Sequence, residues 1–300
     1  MHTACPVPLA PRWTSDVRWP RDASNWPMRE FSQHILCKPH RWHVQTAGSG
    51  PLILLIHGAG GATQSFRHLF PILATTNTVL AIDLPGQGFT QLGGQGRCGL
   101  DAMADDLLRL LHQIDAKPDL IVGHSAGAAI ALRLCDLGVR PPHGVVGINA
   151  ALGNFKGVAG WLFPAMAKFL AATPFTASVF CATTTAASVH KLIKGTGSNI
   201  GPEGEAFYLR LAQDTGHVGA TLSMMAQWSL DPLLARLPQI DVKTTLIACA
   251  NDKAVPPQTS VEAAAHMPNA RVLKLPNLGH LAHEEDADQI ADIILSALQS

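Results

Sequence analysis

The sequence predicts an α/β fold in which helices flank a mostly parallel central sheet. Short apolar runs alternate with amphipathic helical stretches, and the central runs are continuously hydrophobic, as strands covered on both faces must be. Strands that alternate with helices are joined by right-handed crossovers and therefore lie parallel. Strands are predicted at residues 41–45, 52–57, 78–83, 120–123, 144–148, 244–250 and 271–275. Helices are predicted at residues 65–74, 99–114, 126–137, 259–266 and 287–298.

The alternation stops at residues 152–237, a stretch with no clear strand pattern. It is mainly helical and rich in aromatic residues, so we expect a helical cap over the carboxyl edge of the sheet. The chain then divides into an N-terminal part of the core (1–151), the cap (152–237) and a C-terminal part of the core (238–300). For any single aromatic residue, packing of the cap onto the core remains the commoner role. The aromatic residues are Phe155, Trp161, Phe163, Phe169, Phe175, Phe180, Phe207, Tyr208 and Trp228.

The composition restricts the possible partners and compartments. The chain has 300 residues, with 47% hydrophobic residues, 15% charged residues and a formal net charge of +0. No basic face is evident, so we do not expect nucleic acid as a partner. The six cysteines are scattered without a C-x-x-C pair, which argues against zinc or thioredoxin-type chemistry and favours a reducing, cytoplasmic compartment.

Neither a signal peptide nor a membrane-spanning helix is expected. Residues 1–20 contain no apolar run after a basic start, and no segment has about 20 uninterrupted apolar residues. Residues 157–172 come nearest, but they contain Pro164 and Lys168. This stretch is too short to span a bilayer and could lie on a membrane surface.

The sequence GHSAG at residues 123–127 predicts a nucleophile. It follows an apolar run and precedes a helical stretch of small residues. A G-x-S-x-G pattern between a strand and a helix is a nucleophile elbow, a sharp turn whose crowded backbone needs small neighbours. Ser125 is therefore the predicted nucleophile. The alternative is a glycine-rich turn that carries an idle serine.

An alcohol needs a base within hydrogen-bond reach and an acid that orients the base. With this elbow, the acid and then the histidine follow the serine along the chain. Asp252 comes directly after the predicted strand 244–250 and is our acid, although a solvated turn aspartate would also suit this position. The alternative acid position, one strand earlier, holds Asn149 and Ala150, which are not carboxylates.

His280 follows the last predicted strand and is the predicted base. Its rival is His283, which we expect on the first turn of the final helix among acidic residues. His57 and His124 are expected to support the site through backbone geometry or packing. The remaining histidines considered are expected to be surface or partly buried side chains: His40, His43, His68 and His112.

A developing oxyanion needs two backbone N–H donors. One is predicted at Ala126, directly after the nucleophile, and the other in the loop HGAGG at residues 57–61. Ala59 is the first choice in that loop and Gly60 the second. A phosphate-binding loop is disfavoured because the P-loop lysine and the full G-x-G-x-x-G pattern are missing. Asp83, which begins the loop DLPGQG, is expected to be structural.

In this order, the H-G-x-G loop, the D-x-P-G-x-G loop, the elbow, the acid and the late histidine resemble the α/β-hydrolase superfamily over nearly the whole chain. The resemblance implies an α/β-hydrolase fold with a helical cap inserted after the sixth strand. Ser125 separates the chain from the dehalogenase and epoxide-hydrolase branches, which use aspartate there. Nothing suggests a metal or an organic cofactor.

Further stretches resemble one narrower family, the magnesium-chelatase-associated α/β hydrolases of bacteriochlorophyll biosynthesis. The resemblance implies a phototrophic bacterium and an accessory role near magnesium insertion into protoporphyrin IX, with possible contacts to magnesium-chelatase subunits. It implies no particular reaction. The stretches are residues 19–30, RWHVQ at 41–45, GTGS at 195–198, GHV at 216–218 and GHLAHEE at 279–285.

A porphyrin is a large apolar disc with carboxylate tails, which suits an aromatic, weakly charged cap. His190 or His217 could ligate a magnesium centre, although a hydrogen-bonded role is commoner for a lone histidine. We expect a cytoplasmic protein with peripheral contact at the inner or photosynthetic membrane through the cap. The substrate-binding candidates are Trp161, Phe163, Phe169 and Trp228, and those for the tails are Lys156, Lys168, Lys191, Lys194 and Arg210.

The sequence thus predicts a serine hydrolase of the esterase type with a Ser125–His280–Asp252 triad and a bulky hydrophobic ester or acyl substrate. The alternative is a non-catalytic accessory protein that binds a tetrapyrrole or assists the chelatase on a hydrolase scaffold. An intact triad argues against a relic, because a scaffold has no physical need for all three residues.

Overall fold

The fold is built on one eight-stranded sheet, described here from a computed structural model that covers residues 25–153 and 176–299. The strand order is β1-β2-β4-β3-β5-β6-β7-β8. β1 pairs antiparallel with β2 and β2 with β4, whereas the pairs from β4 through β8 are parallel. The strands are β1 (Ser32–Cys37), β2 (His40–Ala47), β3 (Leu52–Ile56), β4 (Thr78–Ile82), β5 (Leu120–His124), β6 (Val145–Ile148), β7 (Thr244–Cys249) and β8 (Ala270–Leu275).

The predicted α/β-hydrolase sheet is therefore confirmed, and most strand ends lie within two residues of their expected positions. β1 was not predicted, because its sequence SQHILC shows neither strict alternation nor a continuous apolar run. It forms at the edge of the sheet by pairing along its full length with β2.

Helices cover both faces of the sheet. Successive strand residues point to opposite faces, so Leu54 belongs to one core cluster and Leu55 to the other. Leu107 packs in the first cluster, and Phe70 packs in the second. The helices are α1 (Leu69–Leu73), α2 (Leu100–Gln113), α3 (Ala126–Asp136), α4 (Thr176–Thr183), α5 (Ala186–Gly195), α6 (Gly201–Ala212), α7 (Thr215–Gln227), α8 (Asp231–Arg236), α9 (Pro257–Ala264), α10 (Ala282–Glu285) and α11 (Ala287–Leu298).

Helices α4 to α8 lie between β6 and β7, after the sixth strand as predicted. We call residues 176–239 the helical insert; this described part contains helices and connecting turns but no strand. The predicted surface segment at residues 157–172 lies outside the described residues. None of the helices in the described ranges is both long and apolar enough to cross a membrane.

Two histidines that were expected to be surface or partly buried side chains are fully buried. His40 is fully buried with its Nε2 atom 2.9 Å from Asp106 Oδ2, and His43 is fully buried with its Nδ1 atom 2.7 Å from Asp83 Oδ2. That expectation was wrong because both carboxylates lie far along the chain and only the fold supplies them. Asp83 also accepts the backbone N–H of Thr63 at 2.6 Å, in keeping with the structural role expected for it.

The parallel register brings the candidate site together. Ile56 of β3 lies beside Gly123 of β5, and Ile148 of β6 lies beside Ile247 of β7. Parallel strands in register end at the same edge of a sheet, which is where ligands bind in open α/β folds. The loops after β3, β5, β6, β7 and β8 therefore converge at this edge.

Candidate active site

Ser125 occupies the turn between β5 and α3 in a backbone conformation that few non-glycine residues adopt. Its φ is 52° and its ψ is −116°. The Ser125 N–H donates a hydrogen bond of 2.9 Å to the carbonyl of Ile148, and the Ser125 carbonyl accepts one of 3.1 Å from Ala128. Ser125 stays partly exposed although both of its neighbours are buried. This strained turn is what a nucleophile elbow requires.

The glycines on both sides of Ser125 let the backbone close tightly. A Cβ atom on Gly123 would lie 2.4 Å from the carbonyl oxygen of Gly127. A Cβ atom on Gly127 would lie 2.2 Å from the carbonyl oxygen of Ile56. Side chains at these positions would force β5, α3 and β3 apart, which explains the small residues of the motif.

The predicted acid and base form a hydrogen-bonded pair. The Nδ1 atom of His280 lies 2.8 Å from Oδ2 of Asp252, and both residues are buried. The other carboxylate oxygen of Asp252 accepts the backbone N–H groups of Ala254 and Val255, each at 2.8 Å. A carboxylate can only accept, so Nδ1 of His280 carries a proton, and Nε2 is the ring nitrogen left available to act as a base.

Two side chains, one from the elbow and one from the end of β6, hold the backbone of His280. Its carbonyl oxygen accepts Nε2–H of His124 and the amide of Asn149, both at 2.9 Å. The rings of His124 and His280 lie 4.7 Å apart. The residue that precedes Ser125 thus contacts the proposed base directly, and His124 has the supporting role expected for it.

Asn149 is a supporting residue that the sequence analysis did not assign. Its amide also donates to the carbonyl of Gly279 at 2.9 Å, and its Oδ1 atom accepts the backbone N–H of Cys249 at 3.0 Å. The sequence signal for this role was the position of Asn149 at the end of β6, where an alternative acid was considered. An amide there joins the end of β7 to the loop that carries His280.

The loop after β3 lies against Ser125. A Cβ atom on Gly58 would lie 3.0 Å from Cβ of Ser125. The N–H of Gly60 donates to Oε1 of Gln87 at 2.8 Å, so this second-choice oxyanion donor is already engaged. Ala59 is exposed at the tip of the loop. Ala126 is the first residue of α3, and N–H groups of a first helical turn have no partner within the helix. These positions favour Ala59 over Gly60 as the donor that would act together with Ala126.

A turn of the helical insert contacts both the acid loop and the base loop. The carbonyl of Thr196 accepts the N–H of Lys253 at 3.0 Å, and the hydroxyl of Ser198 accepts the N–H of Leu281 at 2.8 Å. Gly197 between them has a φ of +86°, and a Cβ atom there would lie 1.8 Å from the carbonyl oxygen of Asn251. This GTGS stretch stood out in the sequence only by its resemblance to the narrower family, and its contacts with the two loops were not predicted.

The rival base His283 lies in a separate buried network. Its Nε2 atom is 2.6 Å from the hydroxyl of Ser65, which donates to Glu284 at 2.9 Å. Tyr208 of the insert also donates to Glu284, at 2.7 Å, and Arg67 forms a buried ion pair with it. Burial lowers the pKa of His283 to about 3 and raises that of Glu284. His283 therefore links α10 to the segment after β3 as a neutral hydrogen-bonding group.

The expected substrate contacts are only partly covered by the structure. Trp161, Phe163 and Phe169 lie outside the described residues, as do Lys156 and Lys168. Trp228 is partly buried and packs against the core. The guanidinium of Arg210 lies 5.5 Å from the ring centre of Trp26. Lys191 and Lys194 are exposed.

The two histidines considered for magnesium have other partners. Nδ1 of His190 lies 2.9 Å from Oε1 of Glu205. Both ring nitrogens of His217 are bonded to backbone groups, those of Gly60 and Gly88. Across the described ranges, no group of three or more His, Cys, Asp and Glu side chains is arranged to hold a metal ion.

The family model for the alpha/beta hydrolase fold matches residues 51–287. The chain belongs to the α/β-hydrolase family. It is 43% identical over 281 residues to the "Magnesium-chelatase 30 kDa subunit" of Rhodobacter capsulatus, which covers 92% of this chain and 97% of that protein. This relative agrees with the narrower resemblance in the sequence.

Solved structures share the fold at low sequence identity. An alpha/beta hydrolase fold protein from Burkholderia ambifaria matches with a TM-score of 0.73 and 20% identity, covering 89% of this chain and 97% of its own. An esterase from Exiguobacterium antarcticum matches with a TM-score of 0.74 and 15% identity, covering 89% and 99%. At these identities the likeness concerns the fold alone.

Proposed function

We propose that this α/β hydrolase is a serine hydrolase of the esterase type, with Ser125 as nucleophile, His280 as base and Asp252 as acid. The observation that carries the proposal is the His280–Asp252 hydrogen bond of 2.8 Å, formed by a histidine whose ring lies 4.7 Å from that of His124, the residue before a serine in a strained elbow. The supporting contacts from His124 and Asn149 orient the same base. A protein without catalytic activity would not need this arrangement of hydrogen bonds.

In the proposed reaction, the Ser125 hydroxyl attacks the acyl carbon while Nε2 of His280 takes its proton. The N–H groups of Ala59 and Ala126 stabilise the resulting oxyanion. The imidazolium, held by Asp252, then gives its proton to the leaving alcohol, and the bond from the acyl carbon to that oxygen breaks. Water attacks the acyl-enzyme by the same route and releases the acid and free Ser125.

The proposed substrate is a bulky hydrophobic ester or acyl compound, and the helical insert is its cap. In this proposal the cap comprises residues 152–237 between core parts 1–151 and 238–300, and its aromatic side chains contact the substrate. Phe180 of α4 is half exposed, so apolar surface is available on the described part of the insert. The 43% identical relative supports a role near magnesium chelatase in bacteriochlorophyll biosynthesis, with a tetrapyrrole as a candidate ligand and chelatase subunits as candidate partners.

That relative also favours a second function, in which the chain binds a tetrapyrrole or assists the chelatase without catalysis. Its name is that of a chelatase subunit. In either proposal the protein works in the cytoplasm, with peripheral contact at the inner or photosynthetic membrane through the cap.

The test is labelling with a fluorophosphonate probe, comparing the wild-type protein with Ser125→Ala, with and without protoporphyrin. The catalytic proposal expects labelling of Ser125 alone and none in the variant. Protection by protoporphyrin would support a tetrapyrrole over the nucleophile. A folded wild-type protein that binds protoporphyrin but does not label would contradict catalysis and favour the second function.

A further inference from the structure

Two loops that follow the parallel strands β3 and β4, at the sheet edge that carries Ser125, are joined by a buried histidine. These are the loop at residues 57–61, which carries Ala59, and the loop at residues 83–88. Nδ1–H of His57 donates to the carbonyl of Gly58 at 2.7 Å, and its Nε2 atom accepts the N–H of Leu84 at 2.9 Å. A ring that donates from one nitrogen and accepts at the other must be neutral.

A second histidine joins the same two loops from the helical insert. Nε2–H of His217, on α7, donates to the carbonyl of Gly60 at 3.2 Å, and its Nδ1 atom accepts the N–H of Gly88 at 3.0 Å. Gln87 accepts the N–H of Gly60 at 2.8 Å. Both polar groups of Gly60 are therefore held by side chains, which fixes the two peptide planes that follow Ala59. The peptide that carries the Ala59 N–H is itself held at the carbonyl of Gly58 by His57.

One face of α7 is built for this contact. His217, Ala220, Thr221 and Met224 follow the i, i+3, i+4, i+7 spacing of a single helix face. A Cβ atom on Gly86 would lie 2.5 Å from Cβ of Ala220, and one on Gly60 would lie 3.7 Å from Cγ2 of Thr221. Sδ of Met224 is 3.2 Å from Nε2 of Gln87. This spacing was not used in the sequence analysis, but it is the signal from which the contacting face of the helix could have been found.

We propose that His217 is a positioning residue that holds the oxyanion loop in the geometry needed for acyl transfer, so that the helical insert takes part in building the active site. The inference rests on the proposed function, because it assigns the loop to an oxyanion. The proposed contacts require His217 to be neutral, with its proton on Nε2. Burial lowers the pKa of His217 to about 4, which agrees with a neutral ring.

The test is the rate of fluorophosphonate labelling as a function of probe concentration, which separates probe binding from the covalent step. His217→Ala removes both contacts, and we expect the covalent step to slow by about 10- to 100-fold. The probe concentration that gives half of the maximal labelling rate should change little. His217→Gln retains a donor and an acceptor and should recover most of the rate. His190→Ala is the matched control, because His190 is an exposed histidine of the same insert.

A covalent rate in folded His217→Ala equal to that of wild type, or an equal loss in His190→Ala, would overturn the proposal. If His217→Ala does not fold, His217→Gln is compared with His217→Asn, whose shorter amide cannot reach both loops. Equal rates in those two variants would also overturn it.

Two further measurements distinguish failure of this inference from failure of the proposed function. Imidazole ¹⁵N resonances should show His217 neutral and protonated on Nε2, and a ring protonated on Nδ1 would contradict the assigned contacts. Amide exchange at Gly88 should accelerate in His217→Ala, and unchanged protection would overturn the positioning role. If wild-type protein does not label, the catalytic proposal fails, whereas these two measurements still decide whether His217 holds the loops.

Discussion

The hydroxyl of Ser198 accepts a 2.8 Å hydrogen bond from the backbone N–H of Leu281, the residue that follows the proposed base. Ser198 lies in the helical insert and is almost fully buried. Together with the contact between His217 and the proposed oxyanion loop, this bond means that the insert contacts the candidate site at two separate places.

Ser198→Ala should weaken both stability and the proposed catalysis. It leaves the buried N–H of Leu281 without its acceptor, which costs about 1–3 kcal/mol in the free energy of unfolding. The loop that carries His280 loses a constraint, so labelling of Ser125 should slow by about tenfold, the usual effect of a slightly misplaced group. Denaturant titration and probe kinetics measure the two effects.

Ser188→Ala is the control for that prediction. Ser188 is an exposed capping residue of α5, and its loss should cost about 1 kcal/mol or less. Labelling of this variant should match wild type. A normal labelling rate in Ser198→Ala would show that the bond to Leu281 serves stability alone.

Asp252→Asn should reduce labelling by about 10⁴-fold, because an amide no longer selects the correct tautomer of His280. Adding Asn149→Asp should not restore it, although this places a carboxylate at the alternative acid position. Asn149 donates to the carbonyls of Gly279 and His280, and a carboxylate would be repelled by both. Recovery of labelling in the double variant would contradict this assignment. Probe kinetics on the wild-type protein and the two folded variants provide the comparison.

Gly127→Ala should destabilise the protein by about 3 kcal/mol or more, because the new methyl group overlaps a backbone oxygen that cannot move freely. The built Cβ atom lies 2.2 Å from the carbonyl oxygen of Ile56. Gly195→Ala is the control, since a Cβ atom there meets nothing within 4 Å. It should leave stability unchanged or raise it by about 0.5–1 kcal/mol. Thermal unfolding gives the melting temperatures of both variants, and equal values would argue against a crowded elbow.

Buried histidines should make the protein less stable as the pH falls from about 6.5 to 4. Burial lowers the pKa of His217 and His34 to about 4 and of His283 to about 3, whereas the unfolded chain has ordinary values near 6.5. In this window the unfolded state binds more protons, so each histidine contributes stability that is complete above 6.5 and lost on acidification.

Each such group contributes a slope of up to about 1.4 kcal/mol per pH unit. Urea unfolding at several pH values measures this slope. In His217→Gln the slope should be smaller by up to about 1.4 kcal/mol per pH unit, which is the contribution of one titrating histidine. The raised pKa of Glu284 acts in the opposite direction, because the native state then holds the additional proton. A free energy of unfolding that stays constant from pH 7 to 5 would contradict neutral buried histidines.

The order of strands and helices was predictable because hydrophobic periodicity is local. Continuous apolar runs identified β3 to β7 within one or two residues, and glycine spacing around Ser125 identified the elbow. The edge strand β1 was missed because its residues carry no clear period and it depends on pairing with β2. Asp252 and His280 were predicted as acid and base from their positions after the last two strands, and the structure shows that the two side chains are hydrogen-bonded.

By itself, the sequence determined the fold class and which residues stand at the ends of the strands, since these depend on local apolar patterns and turn chemistry. Only the tertiary structure decided how the polar groups pair. His217 bonds to Gly60 and Gly88, residues 157 and 129 positions away along the chain, and Ser198 bonds to Leu281, 83 positions away. A buried donor must find a partner wherever the fold brings one within 3 Å or so, and that distance is set by packing of the whole sheet and insert rather than by any local pattern.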